Sequence, residues 1–222
     1  MTASSSRDRL LDAAIDLIRT KGYTAMRVED VCDATGLTKG SFFHHFASKE
    51  DLGLAAAERF AARADAMFGG AGYREHGDPL QRLLGYIDFR QGAMRGELSA
   101  FTCLLGMLAQ ETYRTHPRLN DAAGRYIEEH AGTLEADIEA AKRAHAPAAP
   151  WSPHSLAMFT QAVIQGAFVL AKSQRDPAVA ADCLDHLRRY LLATFEGALP
   201  AQPPSSPPRP RRGAARRTAS RA

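Results

Sequence analysis

Disulfide chemistry has little material in this 222-residue chain. Its three cysteines, Cys32, Cys103 and Cys183, are odd in number, far apart and without a C-x-x-C pair, which argues against a disulfide framework or a zinc knuckle. Long apolar runs are missing too. No stretch approaches the roughly 20 uninterrupted apolar residues of a membrane span. The N-terminal MTASSSRDRLLDAA turns to charge without an apolar signal core, so a cytoplasmic protein with no membrane partner is expected. Period-two alternation rich in Val, Ile and Thr is nearly absent, which leaves no footing for a sheet. Catalytic signatures are missing as well: no G-x-S-x-G, no P-loop, no G-x-G-x-x-G after a strand and no H-E-x-x-H. The glycine-rich FGGAGY joins two predicted helices without a strand. No enzyme activity, catalytic residue, cofactor or metal is expected.

What is present is a globular composition, 45% hydrophobic and 24% charged, with helical periodicity throughout. The formal net charge of +3 hides an uneven distribution. Six arginines (Arg209, Arg211, Arg212, Arg216, Arg217, Arg221) follow Pro200 with no acid among them, and without them the remainder carries −3. Nucleic-acid affinity therefore has to come from local placement or from the tail. Rich in Pro, Ser, Ala and Arg, residues 200–222 are expected to be a disordered basic tail.

Apolar spacing and caps predict helices over residues 6–21, 28–35, 38–46 and 48–68. Further helices are expected over 78–94, 97–113, 117–144, 152–173 and 176–197. Ser6, Thr38 and Ser48 are candidate N-caps, and Gly22 and Gly36 are stops. The fold class expected is all-α: an N-terminal three-helix domain (1–50) with a helix-turn-helix, then a larger C-terminal helical domain (51–199). Three short helices separated by tight turns, the middle turn holding a glycine, fit the helix-turn-helix arrangement.

The stretch GLTKGSFFHHFASKEDL sharpens this. No acid occurs from 34 to 49, although Glu29, Asp30, Asp33, Glu50 and Asp51 surround it. Leu37, Phe42 and Phe46 recur at helical spacing and can turn inward. That leaves Thr38, Lys39, Ser41, His44 and His45 outward, with Gly40 permitting close backbone approach. Lys49 stands in a first helical turn, where amide groups favour an anion. His44 and His45 point about 100 degrees apart on a helix and lack a third ligand at suitable spacing, so metal is the weaker reading.

The run RLLDAAIDLIRTKGYTAMRVEDVCDATGLTKGSFFHHFASKEDLGLAA resembles, without a gap, the DNA-binding domain of the TetR family of transcriptional regulators. The resemblance implies a homodimer that binds a pseudo-palindromic double-stranded DNA operator and is released by a small-molecule effector, most often as a repressor. Base contacts would fall to Thr38, Ser41 and His44, and backbone contacts to Lys39, His45, Lys49 and Phe43. Phe43 stands where family members usually carry a phosphate-reaching Tyr. Arg27 stands where Ser or Thr often caps the second helix, and as a cation it can reach the backbone instead. The alternative is a helical protein-interaction or small-molecule carrier protein that retains the DNA-binding domain.

In the C-terminal domain, candidate effector-lining residues are Phe89, Phe101, Cys103, Met107, Tyr126, Phe159 and Phe168, taken from apolar positions on predicted helices. FTCLLGMLAQE and QGAFVLAKSQRDP are similar to a TetR subgroup, some members of which sense reactive molecules through a cysteine, and this singles out Cys103. For dimerisation, Phe159, Val163, Gly166, Ala167 and Leu170 form one stripe with small residues at its centre. Leu184, Leu187 and Leu191 form another, and the two suggest a four-helix interface.

Overall fold

The computed structural model describes residues 5–197; the basic tail lies outside them. Ten α-helices and one short 3-10 turn, with no strand among the described residues, run in the order α1 Ser6–Lys21, α2 Val28–Thr35, α3 Lys39–His45, α4 Lys49–Gly69, the turn Gly72–Glu75, α5 Pro79–Gly92, α6 Leu98–Phe101, α7 Leu104–Thr112, α8 Pro117–His145, α9 Pro153–Gln174 and α10 Ala178–Phe195.

Caps set most of these boundaries. Side chains of Ser5, Thr38, Ser48, Asp78 and Ser152 each accept an amide proton in the first turn of the helix they precede. Pro79, Pro117 and Pro153 occupy first-turn positions where a missing N–H costs nothing. At α2 the cap is supplied from inside the helix. Asp30 Oδ2 accepts the Arg27 amide at 2.6 Å, which is the reciprocal half of a capping box, while the Arg27 side chain caps nothing and stays exposed.

One expected helix is two. The apolar pattern runs unbroken through 97–113, but Thr102 and Cys103 are extended, separating α6 from α7. Cys103 then caps α7, its Sγ accepting the Gly106 amide at 3.5 Å.

Two apolar cores form. The first gathers Leu10, Leu11, Ile18, Val31, Phe42 and Leu52 from α1–α4, and it also takes in Leu104, Leu105 and Leu108 of α7 and Leu119 and Ala123 of α8. The second joins α5, α8, α9 and α10 through Leu83, Ile87, Ile138, Ile164 and Leu184, among others. The 29-residue α8, about 44 Å long at 1.5 Å per residue, contributes to both. The N-terminal helices thus share a core with α7 and α8. α9 is long and apolar enough by composition to cross a membrane, yet Ile164, Ala167, Phe168 and Ala171 on its inner side are committed to the second core.

Candidate nucleic-acid interface and internal cavity

α3 is fixed from below. Phe42 is fully buried and Phe46 nearly so, with ring centres 5.8 Å apart, and the Arg7 guanidinium lies 5.5 Å from the Phe46 ring centre. Thr38 Oγ1 accepts the Ser41 amide at 3.1 Å, which fixes where the helix begins. With its apolar side held this way, the helix presents Thr38, Lys39, Gly40, Phe43 and His44 to solvent, with Ser41 and His45 half-buried beside them. Phe43 is 57% exposed, a large apolar ring covered on one side by Phe42. The imidazoles of His44 and His45 sit edge to face, 4.9 Å apart. No cluster of three or more His, Cys, Asp or Glu that could hold a metal ion occurs among the described residues.

Two cations behave differently from one another. Lys39 pairs with Glu29 across the turn, and its hydrogen bond holds the Glu29 carboxyl below the usual range. Both partners are more than half exposed, so a phosphate can take the ammonium at little cost. Lys49, expected to offer a free charge to the backbone, does not. Its ammonium lies 4.4 Å from the Tyr23 ring centre and donates to the Thr24 carbonyl at 3.3 Å, and burial lowers its pKa. Lys49 braces the turn between α1 and α2.

That turn is tied to the C-terminal helices. Glu111 of α7 accepts the Thr24 amide at 2.8 Å. Gly22, with φ +91°, ends α1 where a Cβ would stand 2.6 Å from Glu111 Oε1. Tyr23 packs edge-on to His116 at 5.2 Å, and Lys172 of α9 donates to the Arg19 carbonyl near the end of α1 at 3.0 Å.

Between α1, α4, α5 and the α6–α9 segment lies a cavity of about 300 Å³. Of the expected effector residues it is lined by Phe101, Cys103, Tyr126 and Phe168. Phe89 is instead stacked in the second core against Phe68 and Tyr73, and Met107 receives Lys172 at its sulfur. Phe159 is a surface residue with its ring 4.9 Å from that of Tyr190. Sequence reasoning missed Arg19, Arg90, His130 and Gln161, all in the lining. The signal was available: Arg90 interrupts an apolar stripe made by Leu83, Tyr86 and Ile87. Cys103 has no cation near it in sequence, but the fold brings Arg19 and Lys172 within electrostatic reach of it.

The two expected dimer stripes part company. Leu184, Leu187 and Leu191 are buried inside the protomer because α10 packs between α9 and α5, and Ala167 faces the same core. On the outer side of α9, Phe159 is 41% and Leu170 48% exposed, with Gly166 open and Val163 half-buried; Met158, Val169 and Tyr190 extend the patch.

Comparison with known proteins agrees with this architecture. Residues 10–56 match the profile of bacterial regulatory proteins of the tetR family, and residues 79–187 match that of a tetracyclin repressor-like C-terminal domain. The chain belongs to the TetR family. It is a DNA-binding transcription regulator, not an enzyme. Transcriptional regulator AcuR of Cereibacter sphaeroides is 30% identical over 109 residues, 49% of this chain and only 50% of AcuR. The repressor NemR of Escherichia coli is 24% identical over 86% of this chain and 96% of NemR. Among solved structures, this TetR-family chain resembles the reduced form of E. coli NemR (TM-score 0.69, 25% identity, 83% and 96% of the two chains). It also resembles a regulatory protein from Rhodobacter sphaeroides (TM-score 0.75, 25% identity, 86% and 100%).

Proposed function

We propose that this protein is a cytoplasmic, homodimeric repressor that holds a pseudo-palindromic operator and releases it when a small molecule fills the internal cavity. The observation that carries the reading is the outward face of α3: free of carboxylates, capped by Thr38, and anchored by Phe42 and Phe46. Such a helix enters the major groove with its N-terminal residues at the bases. Thr38, Ser41 and His44 then face base edges, while Lys39, His45 and Phe43 lie along the sugar-phosphate rims, with Arg27 exposed at the start of α2. The uncovered apolar patch of α9, with Phe159 and Leu170, supplies the dimer face.

Release follows from the shared core. Cys103 at one end of α7 lines the cavity, and Glu111 near its other end holds the Thr24 amide beside the reading head. An effector that binds one setting of α7 better than another shifts the heads by its differential affinity and by no more than that. Cys103, the only cavity thiol among the described residues, is the position for a reactive effector.

A gel-shift on the DNA flanking its own gene tests the reading, and a retarded band that Lys39→Ala with His44→Ala abolishes is the expected result. No band from folded protein would overturn it. Light scattering should give a dimer that Leu170→Glu splits. N-ethylmaleimide followed by mass spectrometry should label Cys103 in native protein, and an unlabelled Cys103 ends that part of the reading.

A further inference from the structure

The cavity contains a charge that the protein does not answer. The Arg90 guanidinium carbon lies 5.2 Å from the Phe68 ring centre, 5.6 Å from that of Phe168 and 5.9 Å from that of Tyr86. Its Nη1 donates to the Tyr86 hydroxyl at 3.2 Å, and its Nε is buried without a partner. Arg90 forms none of the ion pairs found among the described residues, although Arg59, Arg82 and Arg188 all do. Ring faces offset part of the charge. They cannot take the Nε–H, which lies in the guanidinium plane and calls for an acceptor lone pair.

The neighbours do not supply one. The Tyr86 hydroxyl accepts from Arg90 and from Gln161 Nε2 at 3.3 Å, so its own proton goes to His130 Nε2 at 3.1 Å. Burial, and then the Arg90 charge, bring the His130 pKa down to about 4, leaving a neutral imidazole at pH 7. A second guanidinium in the lining repeats the pattern. Arg19 lies 5.6 Å from the Phe60 ring centre, and its Nε is also buried and unpartnered, although the Asp16 carboxylate acts on its charge from a distance. The acids of the lining, Asp16, Asp65 and Glu129, are exposed. Two half-buried guanidinium groups, each with a buried Nε–H that no protein group accepts, stand between aromatic walls and suit an anionic ligand.

We infer that the cavity takes a small organic carboxylate on an apolar body, its head group received on the Nε edge of Arg90 and its body lying against Phe101, Phe168 and Met94. This rests on the regulator reading above and names the chemical class of its effector. A carboxylate matches the planar fork with two acceptors, whereas a neutral ligand leaves the buried charge uncompensated. Arg19, whose carbonyl is held by Lys172 at the end of α1, carries the second free donor and joins the same cavity to the helix that supports the reading head.

Matched acid and primary-amide pairs test this: unbranched chains from butanoate to decanoate, and 4-phenylbutanoate, each titrated calorimetrically into the full-length protein. At least one acid should bind about tenfold or more tightly than its amide, the smallest effect expected of a charge-assisted hydrogen bond. In Arg90→Met that preference should vanish while the empty protein melts no lower than wild type, because a buried Nε–H without an acceptor goes with the guanidinium. Should Arg90→Met not fold, Arg90→Lys carries the test, since it keeps the charge and loses the fork; its preference should shrink. Acids and amides binding alike, no acid in the series binding, or a preference unchanged in either variant would overturn the inference. Gel-shifts on the same samples separate it from the reading beneath it. Amides that release DNA as well as acids do would overturn the anion while leaving the regulator, whereas acid binding by a protein that holds no DNA would support the anion and remove the regulator.

Discussion

Phe43→Tyr should tighten DNA binding, and its size can be worked from the structure. The Phe43 ring is 57% exposed and meets Phe42 edge-on at 5.1 Å, so a para hydroxyl projects into solvent and desolvates nothing on folding. Folding stability should therefore move by no more than about 0.5 kcal/mol. On DNA the hydroxyl donates to a phosphate, and one such bond contributes about 1 kcal/mol net. A dimer carries two heads, giving about 2 kcal/mol, or roughly a thirtyfold lower Kd, against about fivefold for a single head. The hydroxyl brings no charge and releases no counterion, so the slope of log Kd against log salt should stay where it is. Fluorescence anisotropy with a labelled duplex from the flanking DNA, at several salt concentrations, measures both quantities. A change smaller than twofold, or a shifted slope, would refute the placement of Phe43 against the backbone.

Three further outcomes are expected. Gly22→Ala should lower stability by about 1–2 kcal/mol or more in urea unfolding, since φ +91° suits glycine and the new Cβ meets Glu111 Oε1 at 2.6 Å. His130 has its folded pKa depressed to about 4 from 6.5, so the unfolded chain binds the extra proton between those values; stability is whole above the unfolded pKa and falls as pH drops through the window. Between pH 7 and pH 5 the loss should be about 2 kcal/mol, and His130→Asn should flatten it. Deleting residues 201–222 removes six arginines, so the salt slope of DNA binding should become shallower, and an unchanged slope would take the tail out of the DNA contact.

Capping chemistry and period made the reading head legible. Thr38, Ser48 and Gly36 mark their helix ends in the sequence as they do in the fold, and Phe42 and Phe46 turn inward at their expected spacing. The break at Thr102 and Cys103 was not legible, because FTCLLGM keeps an apolar period across it and a thiol is not a usual cap. Lys49 read as a free charge since nothing local shows that Tyr23 lies beneath it. Leu184, Leu187 and Leu191 read as an interface for a deeper reason. A stripe reports only that a helix face is covered, and a neighbour in the same chain covers it as well as a partner would. The exposed half of the patch, Phe159 and Leu170, became distinguishable only once α10 was in place.

The same limit applies to the arginines, in the opposite sense. In a sequence, a charged residue on an apolar stripe reads as a solvated edge, the common outcome for a long side chain that can reach water. Arg90 reaches it only in part: rings of Phe68, Tyr86 and Phe168 line the guanidinium, its Nε is shut off from solvent, and His130 and Gln161 of α8 and α9 lie beyond them. A carboxylate seated on that Nε edge would supply the missing acceptor, and its binding energy would stabilise the folded arrangement that encloses it. That arrangement includes α1 and α7, and Glu111 of α7 accepts the Thr24 amide just beyond the end of α1. In the proposed mechanism, coupling between cavity and DNA would need no separate relay, since α1 both lines the cavity and packs against α3.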